Sequence, residues 1–219
     1  MMPRFLIIFA ICLLISCETD EPEEVNGSGL PYIGQHDVVY EAQGNYQVGD
    51  TMYHTVPSFS YLTHDSLMLN SSEISGKIWI AKFFFSHCPT ICPPMTVGMK
   101  QVNDSLRAFE NEIVFLSFSI DPESDTPSRL RLYRERHNIK AENWYFLTGE
   151  EKATHRLGVE GFNILAQADK SAAGGFAHSP NFVLVDRNKH IRGIYDGLDP
   201  AERSRLIRDV KKLLNETGN

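Results

Sequence analysis

Two cysteines four residues apart, Cys88 and Cys92, stand between an apolar run and a pair of prolines, and this placement limits the fold more than any other stretch. The run before them, Lys77 to Phe85, reads KIWIAKFFF. It is rich in β-formers and too short for a helix of its own, so it predicts a buried strand. After the second cysteine come Pro93 and Pro94. Each lacks an N–H and its ring clashes with the carbonyl four back, so neither fits a regular helix interior. Apolar residues then recur at Met95, Met99, Val102, Leu106 and Phe109 with helical spacing. The helix therefore starts near the prolines, and both sulfurs lie in its opening turn. Free N–H groups and the helix dipole there favour a thiolate, the form of sulfur that attacks and that binds metal.

The rest of the chain alternates strand and helix signals. Ser58 to Thr63 and Ser66 to Leu69 have strand character, with a turn at Thr63-His64-Asp65. Ile113 to Ile120 is a second buried strand, stopped by Asp121-Pro122. Thr126-Pro127 starts a polar helix that ends near His137. Trp144 to Leu147 is a short apolar segment, and Thr148-Gly149-Glu150-Glu151 fits a capping box on Thr148. Phe182 to Asp186 and Ile191 to Asp196 form a hairpin, and Asp199-Pro200 caps a closing helix that reaches about Leu214. This order gives an α/β fold, a mixed central sheet flanked by helices. It is the order of a thioredoxin-like fold with an inserted segment, an N-terminal extension and a C-terminal hairpin plus helix.

The chain has 219 residues, 42% hydrophobic and 22% charged, enough for one domain with additions and a proper core. Four cysteines are too few for a disulfide-rich scaffold. A net charge of −7 argues against a nucleic-acid partner held by basic charge. The N-terminus has a basic start at Arg4 and an apolar stretch from Phe5 to Ile15, too short to cross a bilayer core of about 30 Å. It ends at Leu14-Ile15-Ser16-Cys17, which resembles a bacterial lipobox. Residues 1–16 are accordingly expected to be a lipoprotein signal peptide, with Cys17 lipidated after cleavage. A plain signal peptide or a loose anchor is the alternative. Residues 17–45, opening with an acidic run from Glu18 to Glu24, are expected to be a flexible tether, and 46–219 the thioredoxin-like domain. The expected location is the cell envelope, membrane-anchored, with the domain outside the cytoplasm. Cleavage also removes Cys12, leaving one pair of sulfurs for chemistry.

A structural disulfide across five residues would remove only about 2 kcal/mol of loop entropy, a poor staple for a domain with its own core. Redox or metal chemistry is the alternative. Two thiolates suit Cu(I), and an imidazole would complete a trigonal site. His87 adjoins Cys88, but adjacency fixes its direction poorly. His36, His54, His64, His137, His155 and His190 read most simply as solvated. His178 stands in a glycine-containing loop, Gly174 to Asn181, just before a strand. In thioredoxin-like folds that loop carries a cis-proline against the cysteine turn. Pro180 would take that place, and His178 would then face the sulfurs. Met95 and Met99 read as core rather than thioether ligands. Asp121 and Asp125 read as the end of a strand approaching the Thr126 cap.

Ser86-His87-Cys88-Pro89-Thr90-Ile91-Cys92-Pro93 resembles the CxxxCP motif of the Sco/SenC family, copper chaperones for cytochrome c oxidase assembly. Ser119 to Pro127 is similar to that family's S-x-D-P-x-x-D-T segment, Trp144 to Gly149 to its W-x-x-L-T-G, and His178-Ser179 to its histidine-serine pair. The resemblance covers roughly Tyr46 to Leu214. It implies that Cys88, Cys92 and His178 bind one copper, as Cu(I) or Cu(II). It also implies delivery to the dinuclear site of cytochrome c oxidase subunit II, so a chaperone rather than an enzyme. Ala177 stands where the family commonly has an acidic residue, and Thr90 where it often has Asp. The competing reading is an extracytoplasmic thiol–disulfide oxidoreductase, with Cys88 attacking and Cys92 resolving. Such pairs are usually three apart rather than four. A peroxidase fits poorly, because Phe85 stands where Thr or Ser would precede the reactive cysteine.

Overall fold

Secondary structure follows the hydrophobic pattern across residues 29–169, 171 and 175–216, the part of the chain that the computed structural model describes. The segment expected to be a signal peptide, Cys17 and the acidic run lie outside the described residues. The strands are β1 (His36–Val38), β2 (Thr51–Tyr53), β3 (Ser60–Thr63), β4 (Met68–Asn70), β5 (Ile78–Phe84), β6 (Ile113–Ser119), β7 (Trp144–Thr148), β8 (Ala166–Ala168), β9 (Phe176–His178), β10 (Asn181–Val185) and β11 (Ile191–Asp196). The α-helices are α1 (Cys92–Ser105), α2 (Pro127–Arg136), α3 (Glu151–Arg156) and α4 (Pro200–Asn215).

Seven strands form one mixed sheet in the order β11-β10-β5-β6-β7-β3-β4. β5, β6 and β7 run parallel and the others pair antiparallel. Every residue of β5 and β6 is buried, as expected for central parallel strands with both faces covered. One face carries an aromatic cluster of Phe59, Tyr61, Phe83, Phe118 and Phe162, with the Phe83 and Phe118 rings stacked at 5.1 Å. The other is covered by α1 and α2, through Met99 near Ser117 and Tyr133 against Phe84. α4 packs against α1 and β11, where the Tyr195 hydroxyl donates to Asp209 at 3.0 Å.

Three local expectations change. Thr148 closes β7 instead of capping α3. Glu150 takes the cap, its carboxylate accepting from the Lys152 and Ala153 amides at 2.9 and 2.6 Å. The stretch read as a loop before β10 contains β9, paired with β8 as a separate ribbon. No peptide bond is cis among the described residues, so Pro180 precedes β10 with a trans bond.

The folded part reaches back to Leu30, ahead of Tyr46. Leu30 is buried and Ile33 bridges to Ile191 on the sheet edge. The buried Arg192 guanidinium donates to the Leu30 carbonyl at 2.8 Å and to Asp186 at 2.9 Å. It also pairs with Glu216 at 3.3 Å and lies over the Tyr32 ring. One side chain thus ties together the start of the domain, the C-terminal hairpin and the end of α4.

Candidate metal centre

The parallel β5 delivers the chain to the C-terminal edge of the sheet, where the cysteine turn begins. Cys88 donates its N–H to the Phe85 carbonyl at 3.3 Å, closing that turn. Cys92 is the first residue of α1, and Pro93 and Pro94 follow in the first turn, where a missing N–H has no helical partner to lose. Cys92 is fully buried, and Cys88 is 6% exposed.

The turn is pinned from the neighbouring strand. Asp125 Oδ2 accepts the Ser86 N–H at 2.9 Å and the Ser119 hydroxyl at 2.6 Å. Asp125 is thus more than a strand end near a cap: it is fully buried, its Oδ1 has no hydrogen-bond partner among the described residues, and burial pushes its carboxyl above the usual range. Asp125→Ala is expected to lower stability by about 2–3 kcal/mol, because two donors lose their acceptor. Asp125→Asn, which keeps an acceptor, is expected to cost less than half of that. Urea unfolding of the two variants, read beside Cys88 alkylation rates, checks this. Equal costs for both would remove the pinning role.

His178 arrives on β9, opposite Ala166 of β8. The ribbon sits close to the helical layer because Gly158 leaves room. A Cβ there would stand 2.6 Å from the Ala166 Cβ. Ser179 fastens the ribbon, its hydroxyl accepting from the Leu165 amide at 3.0 Å. His178 Nδ1 lies 3.1 Å from the Ser179 carbonyl, which can only accept, so Nδ1 carries the proton. That leaves the Nε2 lone pair facing the sulfurs, 3.1 Å from Cys92 Sγ. The Sγ atoms of Cys88 and Cys92 and a ring nitrogen of His178 all lie within 4.8 Å of one another, and all three residues are buried.

The two sulfurs are electrostatically unequal. A hydrogen bond from Cys92, together with nearby backbone N–H groups, lowers the Cys88 thiol against the opposing effect of burial. Cys92, sharing that hydrogen bond and more deeply buried, is raised. Cys88 therefore ionises first. The Thr90 hydroxyl, at the position where the family pattern often has Asp, is 3.7 Å from Cys88 Sγ.

The other sequence candidates fall elsewhere. His87 turns to Asp121, at 3.4 Å. His64, expected to be solvated, is buried beside Phe146 and Asp65, and burial lowers it to about 4. His54, His155 and His190 are half-buried and bond backbone carbonyls. Met95 and Met99 are core residues. Lys82, Thr96 and Tyr133, unremarked in the sequence, form a buried polar chain under the site. The one visible signal was a lysine inside the apolar run of β5.

A buried dithiol and imidazole at the mouth of an α/β sheet define a thioredoxin-like domain with a soft-metal donor set. The family described as SCO1/SenC matches residues 47–215, and the chain belongs to it. It is 29% identical to an SCO1 protein homolog of Bacillus subtilis, over 78% of this chain and 88% of that protein. A SCO1/SenC family lipoprotein from Bacillus anthracis superposes with a TM-score of 0.68 at 29% identity, covering 74% of this chain and 96% of that one. BsSco, described as carrying a disulfide switch and as a member of the Sco family of cytochrome c oxidase assembly proteins, superposes at 0.66 with 28% identity, covering 74% and 94%.

Proposed function

We propose that this chain is a membrane-anchored copper metallochaperone, in which Cys88, Cys92 and His178 hold one copper ion and pass it to the dinuclear copper site of cytochrome c oxidase subunit II. The observation that carries the reading is the convergence of two sulfurs and one unprotonated imidazole nitrogen within 4.8 Å. Two soft donors select Cu(I), and the imidazole makes a three-coordinate site that also tolerates Cu(II). Cys88, the less buried and more acidic sulfur, is the group that a partner's thiol would displace first. Ligand exchange then moves the metal without stranding it. Lipidation of Cys17 would hold the domain at the envelope membrane, beside a membrane-bound acceptor.

Anaerobic titration of the full-length chain with Cu(I), against a chromophoric chelator, tests this reading. One tightly held ion per chain is expected, with transfer to a soluble fragment of oxidase subunit II. Weak or non-stoichiometric binding would sink it. A readily exchanged Cys88–Cys92 disulfide in a chain that holds no copper would make thiol–disulfide exchange the better reading, and the hydrogen-bonded, unequal sulfurs suit that reaction too.

A further inference from the structure

The N-terminal extension carries apolar side chains that the domain does not cover. Its hairpin runs on beyond β1 and β2, where the Val39 amide donates to the Asp50 carbonyl at 2.9 Å. Gln43 and Tyr46 exchange two backbone bonds at 3.2 and 2.9 Å around Gly44, whose φ of +57° makes the tip. The base is fixed to the domain. Tyr53 stacks on Tyr32 at 4.2 Å, and His54 Nε2 donates to the Gly161 carbonyl at 2.9 Å. Val39 is buried, yet Val38, Tyr40, Tyr46, Val48 and Met52 are exposed, Tyr40 by 84% and Val48 by 66%. They are five of the thirteen large apolar side chains exposed among the described residues, and all fall within fifteen residues of chain. Scattered single exposures need no explanation, but a concentration of this kind marks an interaction surface. From His36 to Tyr53 there are three carboxylates, Asp37, Glu41 and Asp50, and no lysine or arginine.

We propose that this hairpin docks on the surface of a zwitterionic lipid bilayer, with Tyr40 and Tyr46 at headgroup level and Val38, Val48 and Met52 against the outer acyl layer. The assignment rests on the membrane-anchored reading of the chain, which supplies the closeness. Cys17, where the lipid is expected, stands twelve residues before Gly29, the first described residue. The domain therefore starts within about 40 Å of the anchor, whatever path the chain takes. At that range the bilayer is met as an intramolecular partner, so a surface too weak to hold a free protein is enough to orient a held one. Tyrosine suits the boundary, because its ring is apolar and its hydroxyl stays wet. With carboxylates and no cation, the hairpin is repelled by anionic headgroups and selects neutral ones. The extension joins the sheet at Ile191, which pairs with Val185 and, through it, with Trp79 near the start of β5. The cysteine turn follows the other end of β5, so docking through the hairpin leaves that turn uncovered for a partner.

The test holds the full-length Cys17→Ser chain, by an N-terminal hexahistidine tag, on phosphatidylcholine vesicles that carry a nickel-chelating lipid. The tag replaces the anchor, so docking is read whether or not the native chain is lipidated. Anchoring itself is read separately, from the lipid mass on Cys17 of the native chain, and the two can fail independently. Tyr40→Trp is the reporter, and Val48→Trp carries the test if Tyr40→Trp does not fold. Trp79 and Trp144 are buried and give a constant background. With brominated acyl chains in the vesicle, the added emission is expected to fall by about half, as for an aromatic side chain at the membrane–water interface. Adding Tyr46→Ser and Met52→Ser should restore it, and replacing part of the phosphatidylcholine with phosphatidylglycerol should reduce the quenching. Unquenched emission in both reporters overturns the proposal. So does quenching that survives the serine changes or grows with phosphatidylglycerol. Unquenched emission beside concentration-dependent dimerisation in sedimentation also overturns it, and makes a second copy of the chain the occupant of the hairpin.

Discussion

His178→Ala is expected to weaken Cu(I) binding by about a thousandfold while leaving a Cys88–Cys92 disulfide that still forms and reduces reversibly. The imidazole is the third donor of a buried site, and its Nε2 stands 3.1 Å from Cys92 Sγ. Truncation leaves two sulfurs and an apolar wall, for Phe85 packs against the imidazole and Phe176 against Phe85. Neither ring offers a replacement ligand. A thousandfold loss corresponds to about 4 kcal/mol, at 1.4 kcal/mol per factor of ten. Cys88→Ala and Cys92→Ala should lose at least as much and abolish the disulfide as well. Chelator competition under anaerobic conditions gives the affinities, and thiol titration after oxidation gives the disulfide. Binding within tenfold of wild type in His178→Ala would remove the histidine from the donor set.

Arg192→Ala carries the largest expected loss of stability, about 3–5 kcal/mol. The guanidinium is only 3% exposed and answers two carboxylates, one of them, Asp186, nearly as buried. Removing it strands Asp186, which among the described residues keeps the Asn188 and His190 amides. It also frees the Leu30 carbonyl contact and the Tyr32 ring that hold the first ordered residues to the sheet. Arg192→Met with Asp186→Asn should recover much of the loss, because an apolar replacement of a whole pair avoids the unpaired charge. Urea unfolding with an unchanged slope is the measurement. Arg192 pairs at the end of β10 opposite the cysteine turn, so Cu(I) affinity should hold in any folded variant. A cost below 1 kcal/mol for Arg192→Ala would mean that the cluster is not a latch.

The sheet was legible because burial on both faces leaves a signature along the chain. KIWIAKFFF and the run from Ile113 are continuous apolar segments, and both became central parallel strands. The helix starts were legible where a side chain or a proline decides them locally. Thr126-Pro127 and Asp199-Pro200 both cap helices as read. The cap of α3 was not, since Thr148 and Glu150 compete for it. The pairing of β7 with β6 and β3 extends the strand through Thr148. β8 and β9 were missed for a related reason: three-residue strands carry too little pattern to be seen before they pair. His64 was misjudged because a turn residue is buried only by what folds over it, here β7 and α2.

The sequence by itself determined that two thiols would sit at a helix start beyond a buried strand, because proline geometry and hydrophobic spacing act within a few residues. The SCO1/SenC pattern of motifs, in order along the chain, pointed to His178 as their companion. Only the tertiary structure decided how these parts meet. Cys92 and His178 are 86 residues apart and stand 3.1 Å from each other because β8 and β9 fold a ribbon back against the turn. Asp125 reaches Ser86 across the parallel β5–β6 pair, and Lys82 lies beneath α1 bonded to Thr96. Contacts of that kind depend on which elements become neighbours, and on which charges the packed core leaves to answer one another. No local spacing encodes either.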